Sequence, residues 1–428
     1  MMHSIYTPPT VNLRPVNKPS KTRRIYHAVA AGFFAAWLLL RKISLSSFTA
    51  DPSASARLNS TFDIKGHSDH PLTAPTPNPK QEHIKTHDDE SMVNPDNPIV
   101  ILPRIWRSWP SDSPLPCFEP DKDMFTNAVQ ITHSRIGFLY VRPLKTGSSS
   151  MNGSVIRAAQ QVAKRGNYSF TTCKVRVFHG FASTYGYIQR DKEKSFLYSS
   201  LRVPSSRAVS RFFFARVSRQ KVQATDHNFV SYLKATFQSS YLTTLSLMPY
   251  QDTPEHYQRD IDHTLQNYDF IAITELMDES LVVMQMLLGL STTDMLYFSV
   301  KTNGGYDDGG TKMGCTYIQK STLTDGMKEY LQSEDWKART KSDYMLYDAA
   351  KESLDLTIDH LGRDEFKKNL KDFRLAMAVV KSKCNSHVKF PCAPNGTRNT
   401  HTDCLWEDSG CGQSCLNKIT QELQSIET

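Results

Sequence analysis

Residues 136–157 read IGFLYVRPLKTGSSSMNGSVIR. The run from Ile136 to Val141 is apolar, β-branched and aromatic, the composition of a buried strand. Lys145-Thr146-Gly147-Ser148-Ser149-Ser150 forms a small polar turn, and from Met151 to Val162 the apolar residues take helical spacing. Strand, glycine-bearing turn and helix together aim backbone N–H groups and a helix N-terminus at an anion. Gly147 permits close approach of the backbone, the hydroxyls add donors, and Lys145 adds a point charge. The Walker A order GxxxxGK[ST] is absent, because here the lysine precedes the glycine. The turn therefore fits a phosphate-like group other than the β/γ pair of an NTP. An ordinary βα turn with a solvated lysine is the competing reading.

Working outward, Lys174 to Phe181 (KVRVFHGF) alternates like a strand, and Ser195 to Leu201 (SFLYSSL) is a second buried strand. Asp269 to Glu275 (DFIAITE) is a third and Met295 to Lys301 (MLYFSVK) a fourth, with an apolar helix from Glu279 to Leu290 between them. Amphipathic helices follow over Tyr344–His360 and Arg363–Lys381. Strands separated by helices predict an α/β fold, a mostly parallel sheet flanked by helices. Ligands of such sheets sit beyond the carboxyl ends of the strands. Arg202 stands at one such end, Pro204 suits the first turn of a helix, and Ser210 lies two turns into it. An arginine fork and a hydroxyl converging there suit a second phosphate, against a surface helix with scattered arginines.

Net charge is +8 over 428 residues, which on its own would invite a nucleic-acid partner. Arg14, Lys18, Lys21, Arg23, Arg24, Arg41 and Lys42 supply seven of these positives, with no Asp or Glu in the first 42 residues, so the remainder carries only +1. No nucleic-acid partner is expected. Ile25 to Leu40 is uncharged and mostly apolar, roughly 24 Å long as a helix, with its heavier basic flank on the N-terminal side. This predicts a cytoplasmic tail (1–24), a transmembrane signal-anchor (25–42), a flexible lumenal stem (43–98) rich in Ser, Thr, Pro and Asp, and a lumenal globular domain (99–428). A cleaved signal peptide, processed near Ser47-Phe48-Thr49-Ala50, is the alternative. Five of the eight cysteines crowd the C-terminus (Cys384, Cys392, Cys404, Cys411 and Cys415), where disulfides are favoured over a zinc site half-built from Cys411 and Cys415. No metal is expected. Sequons at Asn59, Asn167 and Asn395 are usable in a lumen, whereas Asn152 opens the helix behind the anion turn and is expected bare.

The turn Lys145-Thr146-Gly147-Ser148-Ser149 after one strand, and the pattern R-x-P-x-x-R-x-x-S over Arg202, Pro204, Arg207 and Ser210 after a later one, resemble the two nucleotide signatures of sulfotransferases that use 3′-phosphoadenosine 5′-phosphosulfate (PAPS). With Tyr268–Glu275, Asp278-Glu279-Ser280-Leu281, Leu296-Tyr297-Phe298 and Asp343–Tyr347, residues 133–385 resemble the Golgi galactose-3-O-sulfotransferases, the group of galactosylceramide sulfotransferase. The family commonly has histidine before the Lys-Thr pair, where Leu144 stands here. The resemblance implies a P-loop-like sulfotransferase fold and PAPS as co-substrate. It implies that Lys145, Thr146, Gly147, Ser148 and Ser149 hold the 5′-phosphosulfate, and that Arg202 and Ser210 hold the 3′-phosphate. It implies sulfation of a sugar hydroxyl, galactose 3-OH first, on a glycolipid or glycan, at the Golgi membrane in single-pass type II orientation.

Transfer to a hydroxyl needs donors for the sulfonyl oxygens, a neutraliser for the leaving oxygen and a base for the acceptor. Lys145 suits the leaving group. His179 is the first candidate base, at a strand end between the two signatures, and Glu275 is the second. Asp278 and Ser280 are expected to cap the helix after Glu275, and Phe212–Phe214 to be core. A sulfotransferase for uronic-acid polysaccharides and a non-catalytic glycan-binding relative remain as alternatives. Homodimerisation is left open by the sequence.

Overall fold

The computed structural model describes residues 101–111, 115–116, 137–166, 175–178, 180–238, 240–299, 304–307, 314–404 and 410–427. The expected tail, anchor and stem, Cys117, Cys173, His179, and the sequons at Asn59 and Asn167 lie outside them.

In chain order the elements are β1 (Gly137–Val141), α1 (Ser148–Arg165), β2 (Val175–Phe178), β3 (Ser195–Leu201), α2 (Pro204–Phe212), α3 (Asp226–Thr236), α4 (Ser240–Leu245), α5 (Pro254–Asn267), β4 (Phe270–Ile273) and α6 (Met277–Leu287). A small hairpin follows, β5 (Gly305–Asp307) and β6 (Thr316–Ile318), then α7 (Asp325–Gln332), α8 (Glu334–Arg339), α9 (Lys341–Leu361), α10 (Arg363–Cys384) and α11 (Gln413–Glu427).

The strands form one sheet in the order β2-β1-β3-β4, every neighbouring pair parallel, with Phe138 opposite Phe196 and Tyr198 opposite Phe270. All residues of β1, β3 and β4 are buried, as their unbroken apolar runs require in a parallel sheet covered by helices. From β1 the chain crosses through α1 to β2 on one side, then returns to β3 on the other side of β1. The carboxyl ends of β1 and β3 therefore flank the point where strand order reverses, the ligand-binding crevice of open α/β sheets.

α1 buries Met151, Val155, Ala158, Ala159 and Ala163 along one face and ends in Lys164 and Arg165, which complement the negative end of its dipole. A second, smaller core gathers Phe212, Phe213, Phe229, Phe237 and Trp336 beneath α2 and α3.

Met295–Lys301 is not a strand over its described part, to Ser299. Met295 and Leu296 are buried, but in a covering segment: Tyr297 stacks on Phe373 of α10 at 6.5 Å and Phe298 meets Phe390 at 5.8 Å. Apolar content sets burial, whereas a strand also needs a partner edge, and none pairs here among the described residues.

The cysteine tail is stapled by Cys315–Cys392, Cys384–Cys415 and Cys404–Cys411. Cys411 and Cys415 therefore belong to two different disulfides and not to a zinc pair. Asn152 is 1 % exposed and Ser154 fully buried, which leaves that sequon no room for a sugar.

Candidate active site

At the carboxyl end of β1 the chain turns through two residues at positive φ, Lys145 (68°) and Gly147 (67°), before α1 begins. A β-carbon on Gly147 would lie 2.9 Å from Met277 Cε and 3.1 Å from Thr274 Cγ2, so only glycine fits the turn as built. The Thr146 hydroxyl, fully buried, donates inward, within reach of the Pro143 carbonyl at 2.9 Å and Ser200 Oγ at 2.9 Å. Ser200 in turn meets the Tyr140 hydroxyl at 2.7 Å, and the Tyr140 ring stacks on Tyr198 at 4.6 Å. Burial pushes the Tyr140 hydroxyl up to about 12, so it stays a neutral hydrogen-bonding group. Directly after β4, Thr274 Oγ1 reaches the carbonyls of Thr146 (2.8 Å) and Leu201 (2.7 Å), pinning the turn to the neighbouring strand end.

The first N–H groups of α1 have no partner within the helix and point, with its dipole, into the space above the turn. Arg142 is buried and spans the turn: its Nε donates to Ser148 Oγ at 2.8 Å and Nη2 to Ser149 Oγ at 3.0 Å. A guanidinium has no acceptor, so both hydroxyl oxygens must accept from it, and each hydroxyl hydrogen is left to donate elsewhere. The Lys145 ammonium rests 4.0 Å over the Phe214 ring, and the Arg219 guanidinium lies 4.5 Å from the same ring. Phe214 belongs to a π-helical segment, Phe213–Arg219, that extends α2. Phe212 and Phe213 are core as expected, whereas Phe214 is half-buried and serves the lysine.

At the carboxyl end of β3 stands Arg202, and Pro204 opens α2 at its first turn, as the sequence predicts. Arg202 Nη1 donates to the Lys145 carbonyl at 3.5 Å, and Arg207 Nε donates to the Leu144 carbonyl at 3.0 Å. Two signatures 57 residues apart are thus joined directly. Arg207 is 2 % exposed, with Nη1 donating to Ser240 Oγ (2.7 Å) and its plane 4.3 Å over Tyr241. Ser240 Oγ donates to Asp343 Oδ2 (2.9 Å), and the Tyr241 N–H donates to Asp343 Oδ1 (2.8 Å). Burial raises the Asp343 carboxyl above its ordinary range, against the pull of Arg207. Ser210 lies on the face of α2 three residues beyond Arg207 and is 6 % exposed.

Glu275 follows β4 directly. Its Oε1 accepts from the Val203 N–H at 3.1 Å and lies 3.8 Å from Arg202 Nε, while Oε2 accepts from the Tyr347 hydroxyl at 3.3 Å. Its side chain is about one-third exposed, so it faces the crevice while orienting Arg202. Asp278 and Ser280 do not cap α6. The Ser280 hydroxyl accepts from the Ile273 N–H at 3.0 Å, and Asp278 accepts from the Tyr297 hydroxyl at 3.1 Å. No side chain caps that helix, because the short helical turn Thr274–Leu276 runs straight into it.

A scan against known protein families finds no match, and a search of curated proteins finds none either. The site's meaning rests on its own geometry. The Lys145–Ser149 turn, Arg202 and Glu275 stand together at the ends of β1, β3 and β4, while Ser210 lies buried on α2 three residues beyond Arg207. Sequence reasoning gave no site role to Arg142 or Thr274, carried Arg207 only as a spacer of the R-x-P-x-x-R-x-x-S pattern, and expected Phe214 as core. The rule that selected Arg202, a basic residue at the carboxyl end of a buried strand, selects Arg142 equally. Thr274 and Phe214 act through contacts between distant segments and leave no local signal. Among the described residues no group of His, Cys, Asp or Glu is arranged to hold a metal ion.

Proposed function

We propose that this chain is a PAPS-dependent sulfotransferase of P-loop-like fold, held in the Golgi membrane by an N-terminal anchor. It transfers sulfate to a sugar hydroxyl, galactose 3-OH foremost, on a glycolipid or glycan acceptor. The observation that carries this reading is the meeting of the two signatures at the sheet's switch point, joined by Arg202 to the Lys145 carbonyl and Arg207 to the Leu144 carbonyl.

The donor set suits an elongated dianion. One end has the α1 N–H groups, two hydroxyls committed to donating outward and a mobile ammonium; the other has Arg202 and the hydroxyl of Ser210. A Cβ at Gly147 would strike the Met277 and Thr274 side chains packed behind the turn, so this left-handed turn keeps its form only with glycine. When bound, PAPS supplies the sulfuryl group and a nucleotide bisphosphate leaving group.

The residues divide the work by position. The N–H groups of Ser148 and Ser149, with their hydroxyls, receive the charge that builds on oxygen during an in-line displacement. Lys145 leaves the Phe214 ring and neutralises the departing oxygen. Arg202 grips the remote phosphate as a fork. Glu275, facing the crevice beside Arg202, is available to take the acceptor proton. His179, outside the described residues, retains the same candidacy from the sequence.

The test incubates the lumenal part with radiolabelled PAPS and a panel of galactosylceramide, lactosylceramide, N-acetyllactosamine glycans and heparan chains. Label on a galactose-terminated acceptor, lost in Lys145→Ala, is the expected result. Label on heparan alone would keep the co-substrate and overturn the galactose acceptor. No binding of the bisphosphate product by the folded protein would overturn the reading altogether.

A further inference from the structure

The loop after Cys392 is closed on itself. The Ala393 N–H donates to the Thr397 carbonyl and the Gly396 N–H to the Ala393 carbonyl, both at 2.9 Å. Within it Asn395 is exposed, and its Oδ1 accepts from both the Thr397 N–H (3.1 Å) and the Thr397 hydroxyl (2.7 Å). This is an Asx turn that spends the amide oxygen and leaves the Nδ2 group facing outward, without a partner among the described residues. Cys392 is bonded to Cys315 at the foot of β6, so the loop is tied covalently to the β5–β6 hairpin.

The hairpin presents two aromatic rings beside that loop. Tyr306 and Tyr317 are directly opposed in register, with ring centroids 5.2 Å apart, and are 37 % and 43 % exposed. Their neighbours Asp307 and Ile318 point the other way and are buried. The Gly396 backbone runs so close to Tyr306 that a β-carbon there would lie 2.6 Å from the ring. Tyr306 thus stands one residue from Asn395, and the two part-exposed rings, inclined at 67° to each other, form an aromatic corner, a platform whose open ring face suits the C–H face of a pyranose.

We propose that Asn395 carries an N-linked glycan whose first N-acetylglucosamine residues lie on the Tyr306–Tyr317 pair. The oligosaccharide comes from a lipid-pyrophosphate donor. The bond from Asn395 Nδ2 to sugar C1 forms, the C1–oxygen bond breaks, the lipid pyrophosphate leaves with the bonding pair, and the amide gives up one proton. The inference rests on the lumenal part of the functional reading, because the donor is met only there. Asn152, buried beside Ser154, whose hydroxyl donates to the Met295 carbonyl at 2.6 Å, stays bare.

The experiment expresses the full chain, with a reporter sequon appended at its C-terminus, in a eukaryotic secretory host and maps glycopeptides by mass spectrometry. The expected result is an occupied Asn395 and reporter, a bare Asn152, and a band shift smaller by one glycan in Asn395→Gln. A bare Asn395 beside an occupied reporter overturns the site, and a bare reporter as well overturns it together with lumenal placement. The platform is read separately from melting temperatures. Tyr317→Ala lowers Tm by about 2 °C more in the glycosylated chain than in the Asn395→Gln chain, where only its contact with Tyr306 is lost, the difference being the scale of one aromatic contact. An equal effect in both backgrounds overturns the stacking.

Discussion

Gly147→Ala tests the cradle most directly. At φ 67° an alanine incurs the left-handed penalty of about 1–2 kcal/mol. Its β-carbon also meets Met277 Cε at 2.9 Å and Thr274 Cγ2 at 3.1 Å. The methionine methyl is the end of a flexible side chain and moves aside. Thr274 cannot turn without surrendering its bonds to the carbonyls of Thr146 and Leu201, which adds about 1 kcal/mol. The sum, roughly 2–3 kcal/mol, corresponds to a Tm lower by roughly 3–4 °C for a domain of this size. Because the displaced turn carries the donors, affinity for the nucleotide bisphosphate should fall about tenfold or more, the value of one lost charge-assisted contact. Calorimetric melting and titration of the purified lumenal part measure both. Adding Thr274→Ser removes the offending methyl and keeps the hydroxyl, so it should return the steric third to half of the loss. A Gly147→Ala protein that melts with the wild type would refute the left-handed turn and the close approach of Thr274 together.

Three further outcomes follow from the geometry. Arg142→Met should weaken nucleotide binding about 10–100-fold, and Arg142→Lys should restore little of it, since one ammonium cannot span both Ser148 and Ser149; titration calorimetry decides. Glu275→Gln should lower turnover with little change in nucleotide affinity if it takes the acceptor proton, whereas loss of affinity alone would mark it as the orienter of Arg202; initial rates and binding separate the two. Asp343 has its carboxyl raised by burial, so its ionised form is disfavoured in the folded state. Wild-type stability relative to Asp343→Asn should therefore fall as pH climbs past the ordinary carboxylate value of 3.8 and level off above the raised one. Melts between pH 4 and neutrality that run parallel for the two proteins would be the contrary result.

Much of this arrangement was legible from short-range pattern. The β1–turn–α1 unit, the β3 end at Arg202 and the helix start at Pro204 are set by residues close in sequence, so composition and spacing located them. Met295–Lys301 misled because burial by covering elements and burial within a sheet produce the same apolar run. Glu275 was visible as a strand-end carboxylate, but its partners Arg202 and Tyr347 lie 73 and 72 residues away, and no local spacing encodes them. Asp278 and Ser280 looked like caps because short polar residues favour that role. In the fold their oxygens are taken by the Tyr297 hydroxyl and the β4 backbone.

The last helix of the chain reaches back to the site's own scaffold. Arg157 of α1, fully buried, donates to the Thr293 carbonyl at 3.2 Å and the Leu416 carbonyl at 3.4 Å, and also meets Asn417 and Thr420 of α11. Gly410 packs on the Gly153 backbone of the same helix, and Cys384–Cys415 fastens α11 in place. The helix that begins at the turn is therefore sealed by α11, whose Asn417 is 260 residues away from Arg157. An environment that keeps Cys415 reduced should loosen the acceptors of a buried arginine and, through it, the helix behind the turn.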